Sequence, residues 1–205
     1  MPADLAIGCS CGSLKGIAHG ISGSRVNRVV CGCGDCQSYA QYLGCADEIL
    51  DTYGGTDVFQ MSPRYIEFTD GIDRIACLRL TPNGVLRWYA DCCNTPIVNT
   101  LPTRQIPFMA VIHTCVDRSN DNHSLDDSLG SVRARVNSPS APSESGKWEL
   151  VSMLLRYGGM LLKWRLRGDH KHSPFFNART GQPIIAPRMI SAYEVQELKK
   201  KQDRD

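Results

Sequence analysis

CGCGDC, residues 31–36, sets Cys31, Cys33 and Cys36 within six positions, with Gly32 and Gly34 beside the middle thiol. A Cys-x-Cys pair can reach one ion only if the chain turns tightly between its thiols, and glycine gives the backbone that freedom. Two further clusters lie elsewhere: Cys9 and Cys11 in GCSCGS (8–13), and Cys92 and Cys93 in ADCCNT (90–95). Cys45, Cys77 and Cys115 stand alone and read as small buried hydrophobes.

Strand signals surround these clusters. RVNRVV (25–30) alternates β-branched and polar residues and delivers the chain to Cys31. RYIEF (64–68) is a second strand expectation. DRIACLRLTPNGVLRWYA (73–90) reads as a β-hairpin, with Pro82, Asn83 and Gly84 supplying the turn between two alternating runs. Its second strand leads straight into Asp91, Cys92 and Cys93. Two clusters thus sit just past strand ends, where a rigid sheet can aim thiols at one point.

The chain has 205 residues, 42% hydrophobic and 21% charged, enough for one domain with a proper core. A net charge of +2 gives no case for nucleic acid or an acidic membrane surface. The start, MPADLAIGCSCGS, lacks a basic segment followed by an apolar one, and no apolar run approaches the ~20 residues of a membrane span. The expectation is a cytoplasmic protein with no membrane partner. In a reducing compartment, clustered thiols hold metal more often than they form disulfides.

Seven clustered cysteines are too many for one tetrahedral ion and suit two. The expected split is four plus three. Cys9, Cys11, Cys92 and Cys93 would close a structural zinc site. Cys31, Cys33 and Cys36 would hold a second zinc with an open fourth position, the arrangement of zinc that binds or activates something. The alternatives are a fourth ligand to the triad from His19, Cys45 or Asp35, or an iron–sulfur cluster, which calls for four cysteines at other spacings.

Residues 1–105 therefore read as a β-rich zinc-binding domain. Residues 106–146 read as a polar excursion, mobile in part, with SVRARV (131–136) a short strand within it. Residues 147–205 form a C-terminal helix and tail packed on the domain. Leu150, Leu154, Tyr157, Leu161 and Trp164 make one apolar stripe over KWELVSMLLRYGGMLLKWRLRG (147–168), and Gly158–Gly159 is the expected place for a kink. SAYEVQELKKKQDRD (191–205) suggests a short terminal helix.

GCSCGSLKG (8–16), VVCGCGDCQSYAQYLG (29–44), Gly-Gly-Thr-Asp (54–57), YIEFTDG (65–71) and RWYADCCNTPIVNT (87–100), in this order and spacing, resemble the glutathione-dependent formaldehyde-activating family, which includes the centromere protein V group. The resemblance covers about residues 7–100. It implies a mainly β fold of packed antiparallel sheets, a β-tent, with two zincs. Cys9, Cys11 and Cys93 match the structural zinc ligands, and Cys31, Cys33 and Cys36 match the triad of the catalytic-type zinc. The implied activity is carbon–sulfur bond chemistry joining formaldehyde to glutathione. Two departures stand out. The closing motif puts Ala90 where the family has its first cysteine, so Cys92, Asp91 or a water must complete that site. Gly32 stands where many relatives have histidine. GDHKHSPFF (168–176), outside the shared region, is similar to tails of an uncharacterised branch of that family.

The leading expectation is a zinc-dependent carbon–sulfur lyase acting on a thiol–aldehyde adduct, with glutathione as co-substrate and the triad holding the thiol as thiolate. Arg25, Arg64, Arg87 and Lys15 are the partners on offer for glutathione carboxylates, each set against the reading of a plain surface charge. The alternative is a non-catalytic zinc module for a protein or nucleic-acid partner. It rests on KWRLRGDHKH (163–172) in a tail with ten basic and five acidic residues over 163–205.

Overall fold

Alternating and β-branched stretches become strands because such residues pack well on a half-buried pleated surface. A computed structural model of the chain describes residues 2–117, 124–138 and 146–191, with 194, 196–198 and 200. In order come β1 (Ala3–Gly8), β2 (Lys15–Ile21), β3 (Asn27–Cys31), α1 (Gly34–Leu43), α2 (Ala46–Ile49), β4 (Thr56–Gln60) and β5 (Ile66–Asp70). They are followed by β6 (Ile75–Arg79), β7 (Leu86–Ala90), β8 (Thr95–Thr100), β9 (Met109–Ile112), α3 (Leu125–Leu129), β10 (Ala134–Val136), α4 (Lys147–Leu166) and β11 (Arg188–Met189). The fold is mainly β with a long C-terminal helix, as expected. The hairpin over 73–90 forms as β6–β7, pairing Leu78 with Arg87. The RYIEF strand starts two residues late, because Pro63–Tyr65 is a 3-10 turn capped by the Ser62 hydroxyl.

The small sheet has the order β1-β2-β5, and the large one β10-β3-β4-β9-β8-β7-β6-β11. Pairing is antiparallel inside both sheets. The expectation of antiparallel sheets needs one amendment: edge strands β10 and β11 run parallel to β3 and β6. Both come from the C-terminal half and reach the sheet through long connections, which can bring a strand in parallel as a tight hairpin cannot. The large sheet also runs past residue 105, since β9 lies in its middle between β4 and β8. The excursion is thus tied down where it is described. The buried Arg28 guanidinium on β3 forks onto Asp57 of β4, and also binds Asp126 and the Gly130 carbonyl of the α3 segment. The parts of the expected mobile excursion at 118–123 and 139–145, and most of the expected terminal helix, lie outside the described residues.

One core fills the space between the sheets around Trp88, Phe59 and Leu14, and a second lies between the large sheet and the helices α1 and α4. Trp88 is fully buried and satisfies its indole N–H by donating to Thr100 Oγ1 at 3.0 Å. The GDHKHSPFF tail belongs to this core. Phe175, 0% exposed, sits 4.9 Å from the Trp88 ring, and the Ser62 hydroxyl donates to buried Asp169 at 2.9 Å.

α4 corrects two details. It runs unbroken through Gly158–Gly159. Its buried side is Met153, Tyr157 and Trp164 with Leu150 packed alongside, while Leu154 is 56% exposed. Spacings of three and four share a face, so one step in register exchanges Leu154 for Met153.

The tail's place in the core is testable. Phe175→Ala should cost about 3–5 kcal/mol of stability through the cavity it leaves, read as a lower urea midpoint at unchanged slope. A loss below about 1 kcal/mol, as for a surface substitution, would show that the tail does not pack on Trp88.

Candidate functional site

Cys9 and Cys11 occupy the tight turn between β1 and β2. Gly12 follows with φ +75°, a left-handed conformation suited to glycine, and its N–H donates to the Cys9 carbonyl at 3.0 Å. Cys92 and Cys93 occupy the turn between β7 and β8, where Asn94 takes φ 57°. Asparagine tolerates that region better than most residues. The two turns meet. Sγ separations are 3.5 Å for Cys9–Cys11, 3.7 Å for Cys9–Cys92, 3.3 Å for Cys11–Cys92 and 3.8 Å for Cys92–Cys93.

Four thiolates around an ion at ~2.3 Å stand roughly 3.8 Å apart along each edge of the tetrahedron. The spacing therefore fits one metal ion. Cys92 joins the group, and Asp91 does not. The adjacent pair Cys92–Cys93 thus supplies what Ala90 cannot. Supporting donors surround the sulfurs. The Leu14 N–H donates to Cys9 Sγ at 3.2 Å, and Thr95 Oγ1 lies 3.1 Å from Cys93 Sγ. Burial opposes ionisation of Cys93, yet hydrogen bonds from Ser10 and Thr95 bring its thiol down to about 5.

The second group has another construction. Cys31 ends β3, Cys33 is the N-cap of α1, and Cys36 lies in the first turn of that helix. Sequence reading missed α1, although Cys36, Tyr39, Ala40 and Leu43 have helical spacing and Gly44 closes the helix with φ 73°. The three sulfurs lie within 4.8 Å of one another, and among the described residues no fourth Cys, His, Asp or Glu joins them. His19 is engaged with Asp4 at 2.9 Å and Glu67 at 3.2 Å, and the Cys45 thiol is directed at the carbonyls of Ala40 and Asn94. All ten cysteines are free thiols. Cys77 and Cys115 are buried hydrophobes as expected, with burial pushing both thiols up to about 12, whereas Cys45 is only half-buried.

Two features around the triad could not be read from the sequence. The first is Arg87, which is only 3% exposed. Its guanidinium nitrogens lie 3.9 and 4.0 Å from Cys36 Sγ and 3.5 Å from Asn99 Oδ1, with Tyr39 stacked at 5.0 Å. No carboxylate is its recorded ion-pair partner. A buried cation needs a counter-charge, and the triad is the anionic group within reach. Cys33 responds accordingly: hydrogen bonds from Cys31 and then Cys36 drive its thiol down to about 2 against burial, and the Arg87 charge assists. Of the other three basic candidates, Lys15 and Arg25 are exposed, and Arg64 faces Asp169 at 3.8 Å.

The second feature is the wall over Gly32. A Cβ on that residue would stand 2.2 Å from Ser138 Oγ and 2.8 Å from the Asn137 carbonyl. Asn137 turns with φ 54° at the end of β10, and the Gly32 N–H donates to the Val136 carbonyl at 2.9 Å. No side chain, histidine included, fits at position 32. The space is taken by the polar excursion.

Comparison with protein families finds one model over residues 1–185, that of DUF6151, a family of unknown function. The chain belongs to DUF6151. Since the match reaches residue 185, DUF6151 takes in β10, α4 and the Phe175 tail along with the two thiol groups. The likeness of the cysteine motifs to the glutathione-dependent formaldehyde-activating family rests on those motifs. No curated protein matches the chain. Among solved structures, a Rhodobacter sphaeroides protein determined by structural genomics aligns with TM-score 0.41 and 12% identity, over 62% of this chain and 97% of its own. That is too distant to carry an argument.

The two groups should fail differently on mutation. Cys11 and Cys92 are 81 residues apart and tie the small sheet to the large one, whereas the triad spans six residues of continuous chain. Closing a long loop constrains the unfolded chain more than closing a short one. Cys11→Ser should therefore lower the melting temperature far more than Cys33→Ser, while each removes about one metal ion per chain by elemental analysis. The reverse ranking of melting temperatures would overturn these roles.

Proposed function

We propose that the protein is a zinc-dependent carbon–sulfur lyase-type enzyme acting on the adduct of a thiol, glutathione in the first instance, with an aldehyde. The observation that supports this is a three-thiol group with no fourth protein ligand among the described residues, beside a buried arginine. The motif resemblance to the glutathione-dependent formaldehyde-activating family points the same way. Cys9, Cys11, Cys92 and Cys93 would hold a structural zinc, and Cys31, Cys33 and Cys36 the functional one.

Zinc, when bound at the triad, supplies a positive centre that keeps an incoming thiol deprotonated at neutral pH. Three thiolates and a divalent ion carry one net negative charge, and Arg87 brings that to zero. A further anionic sulfur is then admitted at a smaller electrostatic cost than in an uncompensated site. The thiolate sulfur forms a bond to the aldehyde carbon, and the carbonyl oxygen takes a proton from solvent. The reverse reaction breaks the same carbon–sulfur bond and returns the proton. Gly32 and the Asn137–Ser138 wall mean that no side chain at position 32 handles this proton. That departure from the resembled family favours weak formaldehyde activity or a different aldehyde.

With both sites loaded, the mean number of sulfurs around zinc should rise from about 3.5 to about 4 on adding glutathione, by X-ray absorption. Glutathione-dependent loss of formaldehyde above the spontaneous rate should disappear in Cys36→Ser. An unchanged zinc environment would remove the mechanism and leave a non-catalytic zinc module as the better reading.

Arg87→Met should weaken metal binding at the triad by about 10–100-fold in chelator competition, a range typical of residues that support a ligand, and leave the four-cysteine group loaded. Equal losses at both groups would mean that Arg87 acts on folding and not on the charge of the triad.

A further inference from the structure

Opposite its docked side, α4 carries a second apolar face. Trp148, Val151, Leu155, Leu162 and Leu166 recur at helical spacing, and they are 85, 44, 74, 61 and 80% exposed. The gap between Leu155 and Leu162 is filled by Gly158 and Gly159, beside which a Cβ would meet nothing within 4 Å. The face extends about 27 Å along the helix. Five large apolar side chains in a row are too many for an ordinary solvated helix, whose outer side is polar.

The order of residues on this face reads nearly the same from either end. About a centre at residue 157, Trp148 mirrors Leu166, Val151 mirrors Leu162, and Leu155 mirrors the glycine pair. Two antiparallel copies related by a two-fold axis would set each Trp148 beside the other Leu166, and each Leu155 into the hollow at the other Gly158–Gly159. Self-complementarity of this kind is what an isologous interface requires.

Charge selects the same arrangement. Glu149 is the only acidic residue of α4, and one of its oxygens accepts the Gly146 N–H at 3.2 Å. In the antiparallel pair Glu149 lies along the same edge as the other copy's Lys163, whereas a parallel pair would set like charges together. Lys147 and Arg165 share the opposite edge, but Arg165 leans back onto His170 of its own chain at 3.2 Å. Arg156 is likewise turned inward, to the carbonyls of Gly23, Ser24 and Val26.

We infer that α4 pairs antiparallel with α4 of a second copy of this chain, centred on Gly158–Gly159. A single helix pair buries less than the roughly 1,200–2,000 Å² of a standard stable interface. The dimer is therefore weak and in exchange with monomer.

The test is sedimentation of the metal-loaded full chain over a concentration series around ~1–100 μM, the range in which a micromolar dimer dissociates. The wild type should pass from monomer to dimer. Trp148, the one of the three tryptophans that is not buried, should shift its emission to the blue over the same range. Leu155→Arg should stay monomeric throughout with unchanged melting temperature and metal content. Glu149→Lys and Lys163→Glu should each weaken dimerisation, and the double variant should restore it. A wild type that stays monomeric overturns the inference, as does a dimer indifferent to Leu155→Arg. Binding of a monomer to phosphatidylserine–phosphatidylcholine vesicles, abolished by Leu155→Arg, would assign the face to a lipid surface and overturn it equally.

Discussion

The meeting of Cys9 and Cys11 with Cys92 and Cys93 is the constraint on which the rest of the structure depends. It joins the β1–β2 turn of the small sheet to the β7–β8 turn of the large one. Between the sheets so joined lies the core around Trp88 and Phe59. Four thiols at these separations are poor company as thiols, since each offers one weak donor. As ligands of one divalent ion they become a bond between sheets.

The triad draws on that scaffold from the other side of the large sheet. β3 brings Cys31 to the start of α1, and β7 brings Arg87 up beneath Cys36. Arg87 follows directly before Trp88 on the same strand, so alternation sends the two side chains to opposite faces. Trp88 anchors the inter-sheet core while Arg87 compensates the charge of the thiols, and Tyr39 of α1 closes over it. The same helix returns to the strand, where the Tyr39 hydroxyl donates to the Trp88 carbonyl at 3.2 Å. Core packing and site electrostatics therefore meet on neighbouring residues of one strand.

The C-terminal half does two kinds of work for this site. Its tail plugs the core through Phe175 and Asp169, and its edge strand β10 leads into the wall that excludes any side chain at position 32. Arg28, bound at once to β4 and the α3 segment, holds that excursion against β3. Residues rich in Ser, Asn and Asp are poor material for a core. Here a single buried guanidinium and a parallel strand pairing anchor them instead.

Much of this was legible from residue order alone. Clustered thiols beside glycines and past strand ends defined both ligand groups, because a Cys-x-Cys turn and a hairpin end are local geometry. Alternation located β3 and the β6–β7 hairpin for the same reason. What the chain could not reveal locally was long-range. Only the tertiary structure showed that Cys92 and not Asp91 completes the first group, that Arg87 is buried beside Cys36, and that Ser138 occupies the space over Gly32. Arg87 and Arg25 are chemically identical in a sequence, and burial alone separates a counter-charge from a solvated side chain. Register decided α4 in the same way. Leu154 and Met153 both continue an apolar spacing, and only docking on the sheet determined which of the two faces inward.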